Sequence, residues 1–136
     1  MAKFKGNRKL AMLFILLSIG WMAMLLTESS QPPAPIMGEV PGLDKLAHFV
    51  AFGVLALLMC AASFNLHGRL TIPLLSAPLL ITALAGLIEE GYQMSVPGRQ
   101  GSLSDFIADL TGTVFAIWFA NRIALILRCR NPIKMD

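Results

Sequence analysis

The stretch LAHFVAFGVLALLMCAASF, residues Leu46–Phe64, decides the fold. Among its 19 residues there is no Asp, Glu, Lys or Arg, and the one basic side chain is His48. A helix needs roughly 20 apolar residues to cross the hydrocarbon core of a bilayer, with about 17 as the lower limit. Three further runs of that kind flank it: Leu10–Leu26, Leu70–Ile88 and Phe106–Leu127. Composition agrees, since 56% of the 136 residues are hydrophobic and 14% charged, where a soluble domain carries about a quarter charged residues. The sequence therefore predicts an all-α fold, a polytopic four-helix transmembrane bundle forming a single domain over residues 1–136. Its helices are expected at about 10–26, 46–64, 70–88 and 106–127.

Lys3, Lys5, Arg8 and Lys9 precede the first run, as in a secretory signal. The apolar stretch exceeds the roughly 7–15 residues of a signal core, and no small-x-small cleavage site follows at once. It reads as a retained helix. Orientation follows the basic residues. Lys3, Lys5, Arg8, Lys9, Arg69, Arg128, Arg130 and Lys134 fall at one side, and only Lys45 and Arg99 at the other, Arg122 lying inside the fourth run. Both termini are expected in the cytoplasm. The pI of about 9.2 then reflects flanks that contact anionic membrane lipids, and no nucleic-acid partner is needed to explain it.

QPPAP (Gln31–Pro35) cannot continue a helix and marks the first outer connection as an extended spacer. Pro73 is tolerable in a first turn, whereas Pro78 should kink the third helix or be relieved by Ser76. Cys60 and Cys129 fall at different depths, so no disulfide is expected, and neither has metal-ligand spacing around it. His67, beside Gly68 on a cytoplasmic turn, reads as exposed.

With this orientation, Asp44, Lys45, His48, Glu89, Glu90, Gln93, Arg99, Asp105 and Asp109 all fall at the outer side. Asp44 and His48 are four apart, Glu90 and Gln93 three, Asp105 and Asp109 four; each pair shares a helix face. Gly112 continues the last face and permits close helix approach, and Gly86 is placed to do the same. Several of these residues have plain structural readings. Asp44 suits an N-cap, Ser102 with Asp105 resembles a capping box, Glu89 suits a solvated interface, and Lys45 suits snorkelling. His48, Glu90 and Asp109 lie within or directly after apolar sequence, where an ionised group is costly and function is the default reading.

These residues carry a resemblance. DKLAHFVAF (Asp44–Phe52), EGYQ (Glu90–Gln93), PGR (Pro97–Arg99) and SDFIADLTG (Ser104–Gly112) are similar to the VanZ-like family of small bacterial membrane proteins. The family pattern runs D-K-x-x-H-F, E-x-x-Q, R, then D-x-x-x-N-x-x-G. Asp44, Lys45, His48, Phe49, Glu90, Gln93, Arg99, Asp105 and Gly112 match it, while Asp109 stands where Asn is commoner. The resemblance covers residues 44–112 and implies an envelope role in the bacterial cytoplasmic (inner) membrane. The family takes its name from a determinant of low-level teicoplanin resistance, which brings glycopeptide susceptibility into view.

Two functions of different class follow. In the first, Lys45, His48, Gln93 and Arg99 bind an anionic envelope component, a lipid head group or cell-wall precursor. Asp44, Glu90, Asp105 and Asp109 form a polar network that Arg99 braces. In the second, His48 is the general base of a hydrolase or transferase acting on a lipid head group. Glu90 or Asp105 then orients it, and Arg99 stabilises developing charge. Ser95, Ser102 and Ser104 lie on a loop and offer no activated nucleophile. Asp44, His48, Glu90 and Asp105 are mixed N/O donors, yet no H-E-x-x-H-type signature appears, and neither metal nor cofactor is expected. Glu89-Glu90 also resembles the start of the intramembrane CPBP-type proteases. Met94 stands where those carry arginine, and their second histidine-bearing motifs are missing.

Overall fold

The computed structural model describes residues 6–68, 71–74 and 76–130. Lys3, Lys5, Arg69, Leu70 and Lys134 lie outside the described residues, as do the side chains of Arg128, Cys129 and Arg130. The fold is all-α, with α1 (Arg8–Ser29), α2 (Pro35–Glu39), α3 (Leu43–His67), α4 (Ala77–Gln93) and α5 (Leu103–Arg130). Asn7 caps α1 by accepting from the N–H groups of Lys9 and Leu10. Gly42 and Gly68, both in the left-handed region, bracket α3. The spacer is not wholly extended, because Pro35 opens the single turn of α2, where its fixed φ suits a first helical position.

Three helices are long and apolar enough to cross a membrane: α1, α3 and α5 up to Leu127, with mean hydropathies of 2.3, 2.2 and 1.6. The third apolar run departs from expectation. Its helix begins at Ala77, not Leu70, and has 17 residues, a length of about 26 Å. Pro78 supplies the reason. Were the helix to continue backwards, the ring would clash with the carbonyl four residues earlier, so it sits in the first turn behind Ser76 and kinks nothing. Pro73 consequently lies in the non-helical lead-in. There the Asn121 amide donates to the Ile72 carbonyl (2.9 Å) and accepts from the Ile72 N–H (2.8 Å).

The central helix is α3, which packs against all the others, while the backbones of α1 and α5 do not approach closely among the described residues. The α3–α5 crossing is close because α5 carries Gly112 there, where any Cβ would collide with the Phe49 carbonyl. One apolar cluster joins Leu25, Phe52, Leu55 and Ala85; another joins Cys60, Ile72 and Ile117. Trp21 ties α1 to α3 by donating its indole N–H to the Ala51 carbonyl at 2.9 Å. Large apolar side chains such as Leu16, Ile19, Leu80 and Trp118 face outward, as a lipid-exposed surface requires.

Candidate functional site

The C-terminal ends of α1 and α4 meet the N-terminal ends of α3 and α5 at one end of the bundle. Three cross-chain contacts fix this. Ser29 donates to Glu89 Oε1 (2.5 Å), Lys45 Nζ pairs with Asp105 Oδ1 (3.2 Å), and Arg99 Nε donates to the Gln31 carbonyl (2.8 Å). A cleft of about 630 Å³ opens there, with Ser29, His48, Glu89, Gln93, Arg99 and Asp105 among its walls. A smaller hollow of about 260 Å³, lined by Ser63, His67, Ile72 and Ser76 among others, holds none of these groups.

Of the expected cluster of His48, Glu90, Arg99 and Asp105, Arg99 turns to the backbone carbonyls of Gln31 and Glu28, while His48, Glu90 and Asp105 converge. Their nitrogen and oxygen donor atoms lie within 4.8 Å of one another, and those of His48, Glu89 and Asp109 form a second such group. Helical phasing explains the first set, since one turn of α3 brings His48 over Asp44, and α5 presents Asp105 and Asp109 on one face. His48 Nδ1 sits 2.9 Å from Asp109 Oδ1, with Asp109 only 1% exposed. Glu90 Oε2 accepts from the Ser102 backbone N–H at 2.6 Å. Gly101 makes that approach possible, because a Cβ there would stand 2.9 Å from the Glu90 carbonyl. Gly86 lets α5 close on α4, a Cβ at this position meeting Asp109 Oδ2 at 3.1 Å.

Several local readings are corrected. The N-cap of α3 is Gly42, and Asp44 lies in the first turn, paired with Lys45 at 2.8 Å. Lys45 does not simply snorkel, for it bridges Asp44 and Asp105. The Ser102 hydroxyl pairs with that of Ser104, so no capping box forms with Asp105. Glu89 is buried, held by Ser29 and by Gln93 Nε2 (3.3 Å). Arg99 does not brace the acids: it donates to the carbonyls of Gln31 and, at 3.0 Å, Glu28, and so closes the open end of α1. His67 is exposed, as expected.

Sequence reasoning passed over Ser29, Glu89 as a buried group, and Gly101. The one available signal was the Ser29-Ser30 pair ending the first apolar run, where a polar residue would face the same end as the acids. Chemically, the assembly offers an oriented imidazole, an ammonium shared by two carboxylates, a guanidinium with two of its five N–H donors engaged, and buried carboxylates.

Comparisons with curated proteins and with solved structures gave no match. The VanZ/LLP1 family model matches residues 14–127, a span that contains the whole cleft lining, and the chain belongs to the VanZ/LLP1 family.

Proposed function

We propose that the protein is a four-crossing protein of the bacterial cytoplasmic (inner) membrane with both termini in the cytoplasm. Its outward cleft binds the head group of an anionic envelope component, a lipid or a cell-wall precursor, and thereby alters glycopeptide (teicoplanin) susceptibility. The carrying observation is the cleft itself, into whose walls His48, Gln93 and Arg99 are gathered from three separate segments. Arg99 keeps N–H donors for a phosphate or carboxylate. Lys45 stands at Asp44 and Asp105, both of which line the cleft. Purification of the full chain with native lipids, followed by mass spectrometry, tests this reading. A phosphate- or carboxylate-bearing species should co-purify and be lost in Lys45→Gln with Gln93→Leu. Identical lipid profiles in parent and variant would overturn it.

A second reading rests on the His48–Asp109 pair at 2.9 Å. A carboxylate behind an imidazole is the arrangement that orients a general base, and it supports a membrane-embedded hydrolase or transferase acting on a lipid head group. Asp109 then takes the orienting role first considered for Glu90 or Asp105. Turnover of a head-group-labelled lipid that disappears in His48→Gln and falls sharply in Asp109→Asn would favour the enzyme over the binder.

A further inference from the structure

We propose that His48, Glu90 and Asp105 coordinate one divalent transition-metal ion, zinc or manganese, with Asp109 steadying the imidazole. One ligand comes from each of α3, α4 and α5, which is why no compact metal motif exists along the chain. The donor atoms already lie within 4.8 Å of one another. Ligand atoms around an ion at about 2.1 Å lie no more than about 4.2 Å apart, so small side-chain rotations close the set.

Independent of that grouping, buried oxygens in the cluster have no partner. Glu90 Oε1, Glu89 Oε2 and Asp109 Oδ2 accept no hydrogen bond, and their residues are 8%, 5% and 1% exposed. Buried carboxylate oxygens left in this state are costly. The other oxygen of each is held: by Ser102 N–H for Glu90, by Ser29 and Gln93 for Glu89, and by His48 for Asp109. The carboxyl groups are thus fixed in orientation with one oxygen each to spare, which is how a ligand set is prepared.

Charge points the same way. Lys45 serves Asp44 and Asp105, and Arg99 is turned to the α1 carbonyls. Glu89, Glu90 and Asp109 are left with His48 as their one basic neighbour among the described contacts. A doubly charged ion supplies what is missing. With Asp109 on Nδ1, the imidazole keeps its Nε2 for the ion, the carboxylate–histidine–metal relay seen widely in metal sites. One nitrogen beside carboxylates suits zinc or manganese, whereas calcium and magnesium prefer all-oxygen shells.

This inference shares His48 with the head-group reading but does not depend on a bound lipid, and its test contains no lipid ligand. The full chain in detergent micelles, stripped with a chelator, is titrated calorimetrically with zinc chloride and with manganese chloride, and its melting is followed with each. One ion per chain should bind and raise Tm. Glu90→Gln keeps an acceptor for Ser102, and Asp105→Asn keeps its shape, so both should fold and bind more than about 100-fold more weakly, beyond the loss typical of an outer-shell change. Asp109→Asn should lose less, because its amide oxygen still accepts from the imidazole. Glu39→Gln, on the exposed α2, should match the parent. No saturable uptake of either ion, or parental affinity in both Glu90→Gln and Asp105→Asn, would overturn the site.

Discussion

The hydroxyl of Ser29 donates to Glu89 Oε1 across 2.5 Å, joining the last residue of α1 to the penultimate turn of α4. Both residues are buried, and Gln93 Nε2 reaches the same two oxygens at 3.3 Å. Ser29→Ala should therefore cost about 1–3 kcal/mol, the range for stranding a buried polar partner. Thermal melting in detergent checks this, and Ser29→Ala with Glu89→Leu together should recover part of the loss. Unchanged melting in Ser29→Ala would show that the bond contributes nothing.

Arg99 closes the end of α1 through two carbonyls. Arg99→Ala should lower stability by about 1 kcal/mol, since charge-assisted bonds weaken where solvent reaches them. Arg99→Lys keeps the charge without the planar fork and should fall between alanine and the parent. Limited proteolysis within residues 30–42 should follow the same order. Equal cleavage in all three would remove Arg99 from the architecture.

Any side chain at Gly112 meets the Phe49 carbonyl, which cannot move without shifting α3. Gly112→Ala is expected to cost about 1–3 kcal/mol, as overpacked cores do, and Gly112→Leu to abolish the folded yield. Gly91, with open space around it, is the control. Size-exclusion profiles of Gly112→Leu and Gly91→Ala should differ sharply.

Topology is directly measurable. Single cysteines at Gln31 and Gln100, in a Cys60→Ala, Cys129→Ala background, should react with an impermeant thiol reagent in intact cells. A cysteine at Lys5 should react only after lysis. The expectation rests on the basic residues flanking the apolar runs. Labelling of Lys5→Cys in intact cells would invert the orientation.

The apolar runs were legible because length and composition alone identify them, and α1, α3 and α5 lie where they were expected to within a few residues. The acids were legible by phase: Asp44 with His48 and Asp105 with Asp109 came from spacing, and each pair lies at the same end of the bundle. Glu89 was not legible. Adjacent residues on a helix point about 100° apart, so Glu89 and Glu90 are both buried only because α1 covers one flank and the loop at Ser102 the other. The partner of Arg99 depends on where α1 stops, which no local pattern records. The start of α4 could have been read more closely, since proline suits the first turn of a helix and breaks it further in.

Asn121 contributes an amide to Ile72 in the geometry of one peptide group facing another. The side chain acts as a one-residue strand, giving the unwound lead-in a single antiparallel rung inside an otherwise helical protein. A bilayer forbids bare peptide groups at depth, and this rung satisfies both peptide groups of Ile72, whose side chain packs with Cys60 and Ile117. The chain can thus shorten α4 and set the carboxyl-bearing end of that helix where the cleft needs it, without leaving the peptide groups of Ile72 unpaired at the opposite side of the bundle.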